Sequence, residues 1–131
     1  MPPPNVVIDT SVWVEFLRGT RNARTSVVER LVRTGRAAVC GMVMAELLAG
    51  VRTDHERAEL SEAMSGLDYL EAERSDWQQT GELAAALRTR GRTLPLSDIL
   101  VAVLAGRYGC RVLTTDNHFR FIPDVKLFSE A

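Results

Sequence analysis

The fold of this chain is decided at residues 5–11, which read NVVIDTS. Three successive apolar residues followed at once by Asp9 form the pattern of a buried strand in a parallel sheet. From Ser11 to Leu17 the apolar residues change to helical spacing, and Gly19 then ends that helix. Because ligands bind outside the carboxyl ends of the strands in an open parallel sheet, this stretch puts Asp9 where a binding site is expected.

The same alternation of short apolar strands and amphipathic helices continues along the chain. Further strands are predicted at residues 37–40, 67–70, 111–114 and 125–128. Helices are predicted at residues 11–17, 23–33, 43–51, 55–64, 77–88 and 98–107. Strands that alternate with helices favour an α/β sandwich of three layers around a mostly parallel central sheet. Neither a repeat nor a linker divides the sequence, so residues 1–131 are predicted to be a single domain.

The composition, the first residues and the cysteines predict a cytoplasmic protein. Hydrophobic residues make up 46% of the chain, enough for a substantial core, and no apolar run approaches the roughly 20 residues of a membrane span. The start, MPPPN, lacks the basic and apolar regions of a secretory signal, and Pro2 to Pro4 are predicted to form a short extended lead-in. Cys40 and Cys110 form no zinc-binding pattern and are expected to be buried free thiols.

The formal net charge of −1 argues against a simple electrostatic nucleic-acid binder, which is usually basic. A nuclease is compatible with this charge, because an acidic metal cluster offsets the basic side chains around it. Of the 16 basic residues, Lys126 is the only lysine, and arginine is the better bidentate ligand of phosphate. Genomic base composition explains the same bias equally well. Two arginine clusters are candidate phosphate contacts, with solvated surface as the alternative: Arg18, Arg21, Arg24, and Arg88, Arg90, Arg92.

Most of the 17 acids lie on polar helix faces, but four occupy positions where a surface acid is not expected. Asp9 follows the first predicted strand and Asp116 follows the fourth, so the two carboxylates reach the same edge if those strands are parallel. Each also has a local explanation. Asp9 is a suitable N-cap for the helix after it, and Asp116 with Asn117 suits a turn.

Glu46 is the acid that local structure explains least. Its neighbours three and four positions away along the predicted helix are small or apolar: Met42, Val43, Ala49 and Gly50. Glu46 is therefore predicted to lie on an apolar face, where an unpaired carboxylate is costly and a nearby cation relieves the cost. An arginine partner from elsewhere in the fold is the alternative.

Asp98 begins a helix so apolar that it must be buried. The helix dipole favours an acid in the first turn, with Ser97 as the cap, and this is its local explanation. If the four acids converge, their repulsion destabilises the fold unless a cation binds. Ligand sets made only of oxygen select hard cations. Asp9, Glu46, Asp98 and Asp116 are accordingly candidate ligands for one or two ions of Mg²⁺ or Mn²⁺.

Four segments resemble, in order, the motifs of PIN domains, and especially those of the VapC toxins of bacterial toxin–antitoxin pairs. They read VIDTSVW at residues 7–13, MAELLAG at 44–50, LSDILVA at 96–102 and LTTDNHF at 113–119. Four motifs in order across nearly the whole chain are specific, although any one is weak. The resemblance implies a Rossmann-like PIN fold and endoribonuclease activity with the four acids as the catalytic set. It also implies that Ser11 and Thr114 help to position water, metal or phosphate.

The residues themselves favour metal-assisted hydrolysis. The chain has no Ser-His-Asp or Cys-His set in plausible register, and His118 is a poor candidate for the sole general base. A bound metal lowers the pKa of water, and a second one stabilises the leaving oxygen. We expect in-line attack on an RNA phosphodiester that leaves 5′-phosphate and 3′-hydroxyl ends, with transfer RNA as the family-level substrate.

The resemblance also implies protein partners. VapC toxins bind the tail of a cognate VapB-type antitoxin in an apolar groove, and a basic side chain of the antitoxin reaches the acidic site. They form homodimers, and heterotetramers or larger assemblies with the antitoxin. In this chain the groove is predicted to comprise Trp13, Phe16, Leu31 and Val32, although each of these residues taken singly is better explained by the core.

Three other functions suit an α/β fold that carries acids. A protein-binding module with structural acids predicts no Mg²⁺-dependent cleavage. A receiver-like domain needs adjacent acids after the first strand and a lysine after a late strand, whereas Thr10 follows Asp9 and Lys126 is close to the end. A phosphatase of the haloacid-dehalogenase type needs an acid where Ser11 stands.

Overall fold

The central sheet has four strands within residues 5–129, the part of the chain that the computed structural model describes. The lead-in predicted at Pro2 to Pro4 lies outside these residues. The strands are β1 (Val6–Ile8), β2 (Ala37–Cys40), β3 (Asp68–Leu70) and β4 (Arg111–Leu113). Their spatial order is β3-β2-β1-β4, and every pairing is parallel, as predicted.

The order of the strands reverses at β1. The chain leaves β1 toward β2 and β3 and then returns to place β4 on the opposite side of β1. Ile8 is paired with Leu113 at the carboxyl ends of these two strands. A reversal of this kind opens a crevice outside the carboxyl ends, so the residues that follow Ile8 and Leu113 border the same crevice.

Helices flank this sheet, and the predicted α/β sandwich is confirmed. The helices of the described residues are α1 (Thr10–Leu17), α2 (Ala23–Arg33), α3 (Gly41–Gly50), α4 (Asp54–Ser65), α5 (Arg74–Thr89), α6 (Leu96–Arg107) and a 3₁₀-helix (Asn117–Phe121). Each predicted helix is present. α5 begins earlier than its apolar stripe indicates, because Glu73 and Asp76 form a capping box ahead of that stripe.

The core covers both faces of the sheet. Every residue of β1 and β2 is buried, although successive side chains point to opposite faces. The helix α6 is buried continuously from Asp98 to Ala105, as its apolar sequence predicts. Each large apolar side chain that is buried contributes about 1.5–3 kcal/mol. The tightly packed β1 and α6 therefore hold the acids at their ends, Asp9 and Asp98, in defined positions.

A bidentate ion pair joins α5 to α6. Asp76 is 1% exposed, and Arg107 donates to both of its carboxylate oxygens, from Nε to Oδ1 and from Nη2 to Oδ2, each at 2.8 Å. The hydrogen bond from Arg107 holds the pKa of the Asp76 carboxyl below its usual value of 3.8, against the opposing effect of burial. Arg107 also donates to the backbone oxygen of Glu71 at 2.7 Å. Asp76 therefore holds α5 against α6.

The fifth strand predicted at residues 125–128 is wrong, since only one parallel bridge forms there, between Val112 and Leu127. Val112 donates its N–H to the Lys126 oxygen at 2.9 Å and accepts from the Phe128 N–H at 2.8 Å. The chain enters this segment through Asp124, whose φ of 65° is left-handed. An extended strand cannot include Asp124 in that conformation, and within residues 125–128 only Leu127 forms a bridge with β4.

Two further predictions concern the cysteines and the membrane spans. Cys40 and Cys110 are free and buried, as predicted, and burial raises the pKa of both thiols. Among the helices described here, none is long and apolar enough to cross a membrane.

Candidate functional site

The crevice outside β1 and β4 collects residues that are far apart in the sequence. Asp9 follows β1 and donates its N–H to the Leu113 oxygen at 2.9 Å, which extends the pairing with β4 by one residue. Thr114 and Asp116 follow β4, and Asp98 lies in the first turn of α6. The predicted arrival of Asp9 and Asp116 at one sheet edge therefore agrees with the sheet topology.

Asp9 is oriented by two hydroxyl groups. Its carboxylate is nearly buried, at 5% exposure, and its Oδ2 accepts from Ser11 Oγ at 3.1 Å and from Thr114 Oγ1 at 2.9 Å. Thr114 Oγ1 in turn accepts from the Asp116 N–H at 2.9 Å. Asp9 occupies the N-cap position of α1, but none of the backbone N–H groups of that helix donates to its side chain. Its side chain is therefore committed to the crevice rather than to helix capping.

Asp98 and Asp116 meet at the ring of His118. The Nδ1 atom of His118 lies 3.0 Å from Oδ2 of Asp98 and 3.0 Å from Oδ1 of Asp116. Oδ1 of Asp116 also accepts the backbone N–H of His118 at 2.9 Å, so Asp116 caps the 3₁₀-helix. The turn predicted for Asp116 and Asn117 is thus real, but it holds Asp116 inside the acidic cluster. Sequence reasoning missed His118 as a member of this cluster.

The electrostatics of the cluster favour a cation. Burial raises the pKa of the Asp98 carboxyl above its usual 3.8, and the charges of Asp9 and Asp116 raise it further, whereas a hydrogen bond with His118 lowers it. The same hydrogen bond raises the pKa of His118 above 6.5, and the charge of Asp116 adds to that effect. Carboxylates that repel one another in this way are stabilised by a positive charge between them.

The prediction that Glu46 lies on an apolar face is wrong, because its side chain is exposed. The buried residues of α3 are Val43 and Leu47, and the small residues Ala49 and Gly50 are themselves exposed. Small side chains are compatible with either environment, so they did not mark an apolar face. Thr10 Oγ1 donates to Glu46 Oε1 at 3.0 Å. Since Thr10 follows Asp9 directly, this bond places Glu46 at the rim of the crevice.

The predicted apolar groove is wrong for two of its four residues, whereas Phe16 and Val32 are partly exposed. Trp13 and Leu31 are fully buried, because they pack into the core between α1, α2 and the sheet rather than toward solvent. A groove of 510 Å³ lies instead between α1, α3 and α4. Its apolar lining includes Val14, Leu17 and Leu47, and Glu46 also lines it. The groove is therefore apolar in part and charged in part, since its lining also includes Arg18, Arg52, Glu56 and Glu59.

The two arginine clusters differ in their surroundings. Arg24 is engaged by Glu15, with Nη2 at 3.0 Å from Oε1. The guanidinium of Arg92 instead lies over the ring of Phe121, 3.6 Å from its centroid. Phe121 is three residues after His118 in the 3₁₀-helix, and residues at this spacing share one side of such a helix. Arg92 is therefore held on the 3₁₀-helix that carries His118, whereas Arg18 lines the same groove as Glu46.

Comparisons with known proteins agree with this geometry. The family model described as "PIN domain" matches residues 6–124. Ribonuclease VapC11 of Mycobacterium tuberculosis is 32% identical over 121 residues, which cover 89% of this chain and 90% of that protein. Ribonuclease VapC19 of the same species is 31% identical over 121 residues, with 92% and 96% covered. The structure of DNA-bound VapBC from Salmonella typhimurium has a TM-score of 0.82 at 20% identity, covering 96% of this chain and 98% of that one.

Proposed function

The chain belongs to the PIN-domain family and, within it, to the VapC ribonucleases, and on that premise we propose that it is a Mg²⁺- or Mn²⁺-dependent endoribonuclease acting as a toxin. The observation that carries the proposal is the meeting of Asp98 and Asp116 beside Asp9, at the carboxyl ends of β1 and β4. Glu46 completes the proposed acidic set from the rim of the crevice.

The donor set fits a hard divalent cation. Among the described residues, Asp98, Asp116 and His118 offer ligand atoms that all lie within 4.8 Å of one another. Asp9 is joined to this group by the Thr114 hydroxyl, which donates to Asp9 and accepts from the backbone of Asp116. Carboxylate oxygens suit Mg²⁺ and Mn²⁺. We assign Asp98 and Asp116 as ligands of one ion, with Asp9 beside them.

The remaining side chains of the site orient the metal ligands and the attacking water in this proposal. Ser11 and Thr114 both donate to Oδ2 of Asp9 and so orient that carboxylate. Glu46, exposed at the rim, is placed to orient the attacking water. When bound, the ion neutralises carboxylate charge and supplies water of lowered pKa. Hydrolysis breaks the bond between phosphorus and the 3′ oxygen, which leaves 5′-phosphate and 3′-hydroxyl ends.

RNA is the proposed substrate, in keeping with the names of the two relatives, and transfer RNA remains the family-level expectation. The arginines proposed to contact a phosphate that flanks the cleaved bond are Arg92, packed on Phe121 of the 3₁₀-helix, and Arg18, which lines the groove with Glu46. Arg24 is the least suited, because Glu15 already binds it. A cytoplasmic location is part of the proposal, since RNA is accessible there and both cysteines are free.

The antitoxin is proposed to occupy the groove between α1, α3 and α4. The apolar lining of Val14, Leu17 and Leu47 suits the apolar face of a peptide, and Glu46 in the same lining suits a basic side chain of that peptide. A basic group bound to Glu46 would block the acidic site. A homodimer, and a heterotetramer or larger assembly with a VapB-type antitoxin, completes this part of the proposal.

The deciding experiment is RNA cleavage by the purified chain with Mg²⁺ or Mn²⁺. Removing one ligand charge with Asp98→Asn or Asp9→Asn should reduce the cleavage rate at least about a hundredfold, because each change weakens binding of the cation that stabilises the developing charge. Asp54→Asn is the matched control, since Asp54 is an exposed acid that pairs with Arg57 on α4. Cleavage by Asp98→Asn at the wild-type rate would contradict the site. If neither the wild type nor any variant cleaves RNA, a protein-binding module is favoured.

A further inference from the structure

His118 brings a nitrogen donor into a site whose other donors are carboxylates. Its Nδ1 atom lies 3.0 Å from Oδ2 of Asp98 and 3.0 Å from Oδ1 of Asp116. The side chain of Asp98 is 13% exposed and that of His118 is 43% exposed, so the ring is the more accessible of the two. The other histidine, His55, lies on α4 and pairs with Glu59 at 2.7 Å.

The Nδ1 atom of His118 lies from both carboxylates at the distance that separates neighbouring ligands of one ion. Neighbouring ligands of an octahedral ion with bonds of about 2.1 Å are separated by about 3.0 Å, and both distances from Nδ1 to a carboxylate oxygen have this value. The ligand atoms of all three residues lie within 4.8 Å of one another. This spacing allows the three side chains to bind the same ion.

The fold holds the ring in this place. Asp116 accepts the backbone N–H of His118 at 2.9 Å, which sets the start of the 3₁₀-helix. The next residue, Phe119, is 1% exposed and anchors that helix in the core. The position of the His118 ring is therefore set on one side by a capped turn and on the other by a buried aromatic side chain.

We propose that His118 is a nitrogen ligand of the metal site, beside Asp98 and Asp116, and that it makes the site prefer Mn²⁺ to Mg²⁺. This inference rests on the proposed function, because it concerns the ion of the same site. Mg²⁺ strongly favours oxygen ligands and keeps its waters, whereas imidazole nitrogen binds transition-metal ions well. As a ligand, Nδ1 presents its lone pair to the ion while Nε2 carries the proton.

Pulsed electron paramagnetic resonance of the full chain loaded with Mn²⁺ tests this ligand directly. The wild type should show hyperfine coupling to a directly bound ¹⁴N nucleus, and His118→Gln should lose it while His55→Gln keeps it. Calorimetric titration with MnCl₂ and with MgCl₂ gives a second readout. The His118→Gln variant should bind Mn²⁺ about 10- to 100-fold more weakly, with Mg²⁺ affinity no more affected than in His55→Gln. Circular dichroism of each variant checks that it is folded.

The possible results separate this inference from the proposed function. Mn²⁺ that binds in an Asp98-dependent manner but shows no nitrogen coupling would overturn the ligand assignment and leave the nuclease proposal standing. Equal loss of Mn²⁺ and Mg²⁺ affinity in His118→Gln would also overturn it, because a ring that only supports the carboxylates by hydrogen bonding affects both ions alike. Mn²⁺ binding and RNA cleavage that are both unchanged in Asp98→Asn would overturn the proposed site itself.

Discussion

At the scale of single residues, the carboxylate of Asp9 is oriented by hydroxyl groups rather than by charged partners. Ser11 and Thr114 donate to the same carboxylate oxygen, and they come from opposite sides of the crevice. Ser11 Oγ also lies 3.4 Å from the backbone N of Thr115, which donates to it. Neutral donors orient a carboxylate without cancelling its charge. A cation can therefore still be bound there, which an arginine partner would have prevented.

Thr114→Val tests this orienting role. Valine keeps the shape of threonine but removes the hydroxyl that links Asp9 to the backbone of Asp116. We expect the rate constant for RNA cleavage to fall about 10- to 100-fold, as for other groups that orient a metal ligand. Steady-state kinetics measure this change. Thr34→Val is the matched control, because the exposed Thr34 hydroxyl donates only to the Arg30 backbone oxygen. Similar kinetics for the two variants would refute the role.

At the scale of elements, the site depends on α6 being held firmly against its neighbours. Asp98 lies at the beginning of α6 and Arg107 at its end, where the latter is fixed by Asp76 of α5. The guanidinium of Arg107 also lies 4.3 Å from the ring centroid of Tyr108. One end of this helix therefore carries a proposed metal ligand, and the other end carries the ion pair that fixes the helix against α5.

The ion pair between Asp76 and Arg107 predicts how stability depends on pH. Because the pKa of Asp76 is lowered in the folded state, the pair stabilises the protein fully at pH values above the usual 3.8. This contribution is lost as the pH falls through the lowered pKa of the folded state. Asp76→Asn should therefore destabilise the protein at pH 7 and show a smaller loss on acidification. Urea unfolding across this pH range measures both effects. Parallel curves for the two proteins would show that the ionisation of Asp76 contributes no pH dependence to stability, and coincident curves would show that the pair contributes no stability at all.

At the scale of the whole molecule, strand order creates the site. Thr114 and Asp9 are separated by 105 positions and yet share a hydrogen bond, because β4 is placed next to β1 after the chain has built β2 and β3 on the other side. Glu46, which accepts a hydrogen bond from Thr10, also lines the groove between α1, α3 and α4. The proposed antitoxin site and the proposed metal site therefore share this residue.

Expression without an antitoxin tests the toxin role of the whole protein. Induction of the wild-type chain in a bacterial host should arrest growth, because an unblocked acidic site cleaves RNA. Induction of Asp98→Asn to the same protein level should leave growth unchanged, and Asp54→Asn should arrest it like the wild type. Growth curves with immunoblots measure the outcome. Normal growth with wild-type protein present in folded form would argue against a toxin.

Much of the fold and part of the site follow from the order of residues. The apolar run before Asp9 predicts β1, and the continuous apolar stretch after Asp98 predicts a buried helix, since both depend on local hydrophobic pattern. Glu46 shows the limit of such patterns. Alanine and glycine around it suggest an apolar face, but small residues bury little area and lie equally well at a surface. Its exposure therefore depends on which side of α3 faces α1.

The local sequence determines which residues are available to the crevice, because strand, helix and turn preferences act over a few neighbouring positions. Asp9, Asp98 and Asp116 were found in this way, each at the end of an element. Tertiary structure alone decided how they meet, that the ring of His118 joins the cluster, and that Trp13 and Leu31 belong to the core instead of a groove. These outcomes depend on how distant elements pack, and packing is settled by the summed burial of the whole chain rather than by any one segment.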